Sequence, residues 1–97
     1  MKYEIKNEDL IIHLQGQLNS FNAEDTQKEI ISVAEKEKLA KLVLDFDELK
    51  YISSAGIRII MLLKQKYNDL MIINVNDDIN DIFTMVSLDS VITIKRK

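Results

Sequence analysis

The chain has 97 residues, 46% hydrophobic and 30% charged, with a formal net charge of −3 and a pI near 5.1. That length suits a single domain over 1–97, and the composition is that of a soluble globular protein rather than a disordered tail. The acidic balance argues against nucleic acid as the main partner, despite the basic Lys95-Arg96-Lys97 end. The absence of cysteine removes disulfides, thiolate zinc sites and cysteine nucleophiles.

The start, MKYEIKNEDLIIHLQG, alternates charged with apolar residues and lacks the unbroken apolar stretch of a signal peptide. Lys2–Lys6 reads as a first strand and Asn7-Glu8-Asp9 as a turn. Leu10–Gln15 alternates Leu10, Ile12 and Leu14 against Ile11, His13 and Gln15, the pattern of a half-buried strand. The two form a hairpin, and Gly16 ends the second strand in a turn. Asn19–Asn22 is polar apart from Phe21, and Asn22 fits as an N-cap with Asp25 three residues on, a capping-box-like pairing. The helix that follows, about 23–37, carries Ala23, Thr26, Ile30, Val33 and Ala34 on one face.

Lys41–Phe46 is a strand, Asp47–Ile52 its exit loop, and Ser54–Tyr67 a second helix. The longest apolar run, Ile59–Leu63, falls far short of the ~20 residues that cross a bilayer. No membrane insertion is therefore expected, and the expectation is a cytoplasmic protein, monomeric when free. Leu70–Val75 reads as a central strand, apolar on both faces. Asn76-Asp77-Asp78 opens a short helix with Ile79, Ile82, Phe83 and Val86 on one side, and Val91–Lys95 closes the chain as a strand. The order ββαβαβαβ is an α/β fold, with a mixed, mostly parallel sheet, an N-terminal hairpin and about three packed helices.

Signs of catalysis are sparse. His13, the sole histidine, sits mid-strand, where a structural role is the simplest reading. There is no G-x-S-x-G elbow, P-loop or G-x-G-x-x-G. Asp45, Asp47 and Glu48 cluster where ligands of parallel sheets tend to bind, though a solvated loop is the simpler account. Helix-start chemistry explains Asn76-Asp77-Asp78 better than a calcium loop does, and Met61, Met71 and Met85 read as core filler. No catalytic residue, cofactor or metal site is assigned.

Gly16 and Gly56 are the only glycines, so each should answer a demand for positive φ or close approach. Gly56 falls in the first turn of a helix, where glycine costs stability relative to alanine, and Ala55 beside it is also small. Together they let another backbone or a partner come close to that helix end. Ser53 or Ser54 can N-cap the helix by accepting a bond from a free backbone N–H. The helix is apolar around most of its circumference, which leaves apolar surface beyond what one sheet face needs.

The stretch KLVLDFDELKYISSAGIRIIMLLKQK resembles the STAS domain, in particular the bacterial anti-sigma-factor antagonists. LIIHLQGQLNSFNAEDTQKEI is similar to that family's strand, Gly-x-Leu-Asp segment and helix, and DDINDIFTMVSLDSVITI to its closing helix and strand. The resemblance implies a partner switch. The unphosphorylated domain would bind an anti-sigma factor and serine kinase of the histidine-kinase-like ATPase fold, phosphorylation at Ser54 would block binding, and a metal-dependent serine phosphatase would reset it. Asn19, Ser20, Ser53, Ala55, Gly56 and Arg58 would surround the phosphosite or meet the partner. Ser53 and Asn19 stand where many members carry aspartate, Ala55 where many carry Ser or Thr, and Ile57 replaces the usual leucine. Two alternatives stay open: an unphosphorylated STAS scaffold or transporter-associated subunit, and a nucleotide- or small-ligand-binding domain using the acids at 45–48.

Overall fold

Strands and helices alternate along the chain in a computed structural model that describes residues 1–38 and 41–97. The elements are β1 (Lys2–Lys6), β2 (Asp9–Leu18), α1 (Ala23–Glu37), β3 (Lys41–Ile52), α2 (Ser54–Lys66), β4 (Met71–Val75), α3 (Asp77–Met85), a 3-10 turn at Leu88–Ser90, and β5 (Thr93–Arg96). The strands lie in the order β1-β2-β3-β4-β5, with β1 antiparallel to β2 and the remaining pairs parallel. The β1–β2 hairpin turns through Asn7 and Glu8, both at positive φ, as a two-residue turn matched to strand twist requires.

Each parallel connection steps the same way across the sheet, so right-handed crossovers place all three helices on one face. The core has that composition. Ile30 and Ala34 of α1, Ile59, Ile60 and Leu63 of α2, and Ile79 and Phe83 of α3 gather over Leu10, Ile12, Leu42, Leu44 and Ile72. The pleat turns the intervening residues Ile11, His13, Val43, Asp45 and Ile73 to the opposite face. Asn76 caps α3 through its side-chain oxygen, which accepts from the Ile79 N–H at 2.8 Å, as the helix-start reading requires.

Several boundaries depart from the sequence reading. β2 does not stop at Gly16; that residue, at φ +76, lies at a break in register and the strand resumes to Leu18. Nor is Asp47–Ile52 an exit loop. β3 runs on to Ile52, but past Asp45 it pairs with β2 alone, because β4 matches only Val43–Asp45. A two-stranded extension is wetted on more sides than a central strand, and its exposed Asp47, Glu48 and Lys50 disguised it as a loop. The closing strand starts at Thr93, two residues late, because Leu88–Ser90 forms the 3-10 turn. Met61 and Met85 are exposed and Met71 half-buried, so none of the three is core filler. Asn22 makes no side-chain cap bond to α1; its amide serves the preceding loop instead.

Phe83 of α3 is fully buried, its ring centroid 6.2 Å from that of Phe46 on β3. Truncating a core aromatic removes transfer free energy and leaves a cavity. Phe83→Ala is expected to lower the unfolding free energy by about 3–5 kcal/mol, read from urea denaturation.

Candidate functional site at the start of helix α2

The start of α2 is held from below by the ends of β2 and β3. The Leu18 carbonyl accepts from the Ser53 N–H at 2.9 Å. A Cβ placed on Gly56 would lie 2.7 Å from Ile52 Cγ1 and 2.9 Å from both the Leu18 carbonyl oxygen and Leu18 Cγ. The side-chain atoms have some room to shift, but the Leu18 carbonyl belongs to a paired strand and does not. Close backbone approach is therefore what glycine supplies here, as its position in the first helical turn suggested.

The two serines divide between two roles. Ser53, in extended conformation, is the N-cap, and its Oγ accepts from the Gly56 N–H at 3.3 Å. Ser54 is the first helical residue and is exposed. The choice left open by the sequence is thus resolved toward Ser53 as the cap, leaving Ser54 exposed beside it. No acid stands in the first turn of α2, whereas α1 opens with Glu24 and Asp25 and α3 with Asp77 and Asp78.

The β2–α1 loop abuts this end through Leu18 and is organised by Asn19. The Asn19 side-chain oxygen accepts from the N–H groups of Phe21 (2.9 Å) and Asn22 (3.2 Å), and its backbone carbonyl from Asn22 and Ala23. The Asn22 amide returns the bond, accepting from the Asn19 N–H at 2.9 Å and donating to the Gln17 carbonyl at 2.8 Å. An aspartate at 19 would make the same acceptor bonds, so asparagine keeps the loop's shape without its charge. Ser20 from this loop, with Ala55, Arg58, Ile59 and Leu62 from α2, lines a groove of about 540 Å³ against α1. Phe21 stands 94% exposed at the loop tip. Sequence reasoning did not place Phe21 or Leu62 at the site; the one signal was an aromatic in an otherwise polar stretch.

The acids at 45–48 lie elsewhere. Asp45 faces away from the helices, and the end of β3 that leads into α2 lies roughly 23 Å further along the strand at ~3.3 Å per residue. It is not a solvated loop residue. Only 9% exposed, it accepts from Asn74 Nδ2 (2.9 Å) and the Asp47 N–H (2.9 Å), and its other oxygen meets His13 Nδ1 at 2.8 Å. Asn74 holds φ +60 to make that contact, at a register break in β4. Burial pushes the Asp45 pKa up, but the bonds from Asn74, Asp47 and His13, with the His13 charge, outweigh it and hold the carboxyl below its ordinary value. The cluster ties β2, β3 and β4 together. Asp47 and Glu48 share with His13 and Asp45 a cavity of about 270 Å³ that Ser54 does not line. Among the described residues no group of three His, Asp or Glu is placed to hold a metal ion, and no helix is long and apolar enough to cross a membrane.

A family model described as the STAS domain matches residues 1–97. BtrV of Bordetella bronchiseptica, which carries the name of an anti-sigma factor antagonist, is 33% identical over 89 residues, covering 88% of this chain and 76% of its own length. The crystal structure of the Thermotoga maritima protein tm1081, titled as an anti-sigma factor antagonist, superposes with a TM-score of 0.90 at 17% identity, covering 99% of this chain and 86% of that one. Bacillus SpoIIAA in its unphosphorylated form gives 0.77 at 15% identity, over 96% and 85% of the two chains. Its phosphorylated form gives 0.69 at 15% identity, over 96% and 88%. At such identities the structural matches establish the fold.

Two outcomes follow from this geometry. Helix propensity alone would favour Gly56→Ala by up to ~1 kcal/mol, yet contact with the Leu18 carbonyl is expected to make it destabilising by about 1–3 kcal/mol; denaturant titration gives the sign. The Asp45 pKa is lower folded than unfolded, so its contribution is complete above about pH 4 and fades as pH falls through the lowered folded value. Asp45→Asn should therefore cost about 1–3 kcal/mol at pH 7. The gap to wild type should narrow as pH falls below about 4, and unfolding curves along that range measure it.

Proposed function

The chain belongs to the STAS domain family, with anti-sigma factor antagonists among its relatives, and on that premise we propose that it acts as a partner-switching antagonist controlled by phosphorylation of Ser54. Unmodified, the domain binds an anti-sigma factor that is also a serine kinase of the histidine-kinase-like ATPase fold, and so releases that protein's target. The kinase modifies Ser54 and the complex parts; a metal-dependent serine phosphatase restores the binding form. The chain itself contributes a surface rather than catalysis, and works in the cytoplasm.

The observation that carries this reading is the division between the two serines. Ser53 is spent on the cap, while Ser54 is exposed at the first position of a helix whose first turn holds no acid. A phosphate there adds about −1.5 to −2 charge and three acceptor oxygens, which the free N–H groups and the dipole of the helix start tolerate. A partner surface placed against the same point meets that charge without such compensation. The domain keeps its fold and loses its complex. SpoIIAA, of the same fold, exists in both forms, and the proposal brings that chemistry to Ser54. The groove bordered by Ser20, Ala55 and Arg58, with Phe21 exposed beside it, supplies apolar surface for the partner.

The test takes the ATPase-fold protein that co-purifies with the chain and measures its affinity by calorimetry. Ser54→Ala should bind as wild type does, and phosphoserine at 54 should weaken binding roughly 30–150-fold, equivalent to ~2–3 kcal/mol. Equal affinity of the alanine and phosphoserine forms would remove the switch.

A further inference from the structure

Arg58 follows Ser54 by one helical turn on α2, and both side chains are exposed. Residues four apart share a helix face with Cβ atoms about 5–6 Å apart. Cα–Cβ bonds on a helix tilt toward its N-terminus, and long side chains lean back over the preceding turn. A guanidinium at 58 is thus within reach of the turn that Ser54 begins.

Nothing else claims it. Arg58 pairs with no carboxylate among the described residues, and the acid that lines the groove with it, Glu24, pairs with Lys28 at 3.2 Å. The first turn of α2 has no acid to compete. Arginine, unlike lysine, presents a planar fork that matches phosphate oxygens in pairs.

We propose that Arg58 is the internal clamp for a phosphate on Ser54, binding its oxygens across one turn of α2. The proposal rests on Ser54 being the modified residue. It adds what modification does to this chain: the phosphate is held in place, and the guanidinium that lines the α1–α2 groove in the unmodified form is drawn away from it toward the helix start. One modification then changes two points of the same surface, adding negative charge at 54 and withdrawing positive charge from the groove wall.

The experiment installs phosphoserine at position 54 during translation and follows its second ionisation by 31P NMR titration, in the native background and in Arg58→Gln and Arg58→Lys. A free phosphoserine ionises near pH ~6. With Arg58 present the midpoint should lie about 0.3 unit or more below that of Arg58→Gln. Arg58→Lys should fall between the two, since it keeps the charge but not the fork. The difference should shrink as salt rises toward about 1 M, as an exposed ion pair must. Equal midpoints in the native and glutamine forms would overturn the clamp. No kinase or partner enters the measurement, so that result would leave the Ser54 switch standing. Conversely, binding that is indifferent to phosphoserine would remove the switch without moving the midpoints.

Discussion

Where β2 and β3 end, Leu18 and Ile52 lie side by side, and the first turn of α2 passes so close above them that its third residue has no room for a Cβ. The Leu18 carbonyl is engaged by the Ser53 N–H. The same contact fixes three things at once: the angle at which α2 leaves the sheet, the residue that caps it, and the side chain left over at its first position. A Cβ at 56 would push the helix off its seat and turn Ser54 with it. The glycine's conformational cost is set against a helix start whose position is specified by backbone atoms on another element.

The architecture separates the candidate site from the polar brace. Sequential right-handed crossovers put all three helices on one face, so the groove and the α2 start lie together on the helical side. The other face carries the His13–Asp45–Asn74 cluster, which joins three strands through a nearly buried carboxylate. Asn74 adopts a left-handed backbone to reach it, a local strain that the surrounding hydrogen bonds must sustain. A partner docked on one face would therefore have little leverage on the polar brace of the other.

Element order, the hairpin and the parallel sheet were legible in the sequence because alternation and helical spacing are strong there, as in Leu10-Ile12-Leu14 and Ile79-Ile82-Phe83. What escaped were features set by distant pairing. Asp47–Ile52 reads as a loop because its polar residues face solvent, and only the partner strand β2 makes it extended structure. Asp45 reads as one of three solvated acids, since its partners come from positions 32 and 29 residues away. Which of Ser53 and Ser54 caps α2 was likewise hidden from local chemistry: either can cap a helix, and the choice depends on where β3 ends. Met61 and Met85 were misread because hydrophobicity predicts burial only while core face remains to be filled, and α2 and α3 offer more apolar surface than the sheet covers.

The seat of α2 joins residues far apart in the chain, since Leu18 and Gly56 are separated by 38 positions. Contacts of that span form late and slowly compared with local helical turns. A nascent or unfolded chain contains Ser54 in its sequence but not the helix start that displays it, because that display exists only after β2 and β3 have come into register. An enzyme that recognised the serine on its helix would thereby inspect the pairing of two strands, and a mark placed there would record that the domain had finished folding.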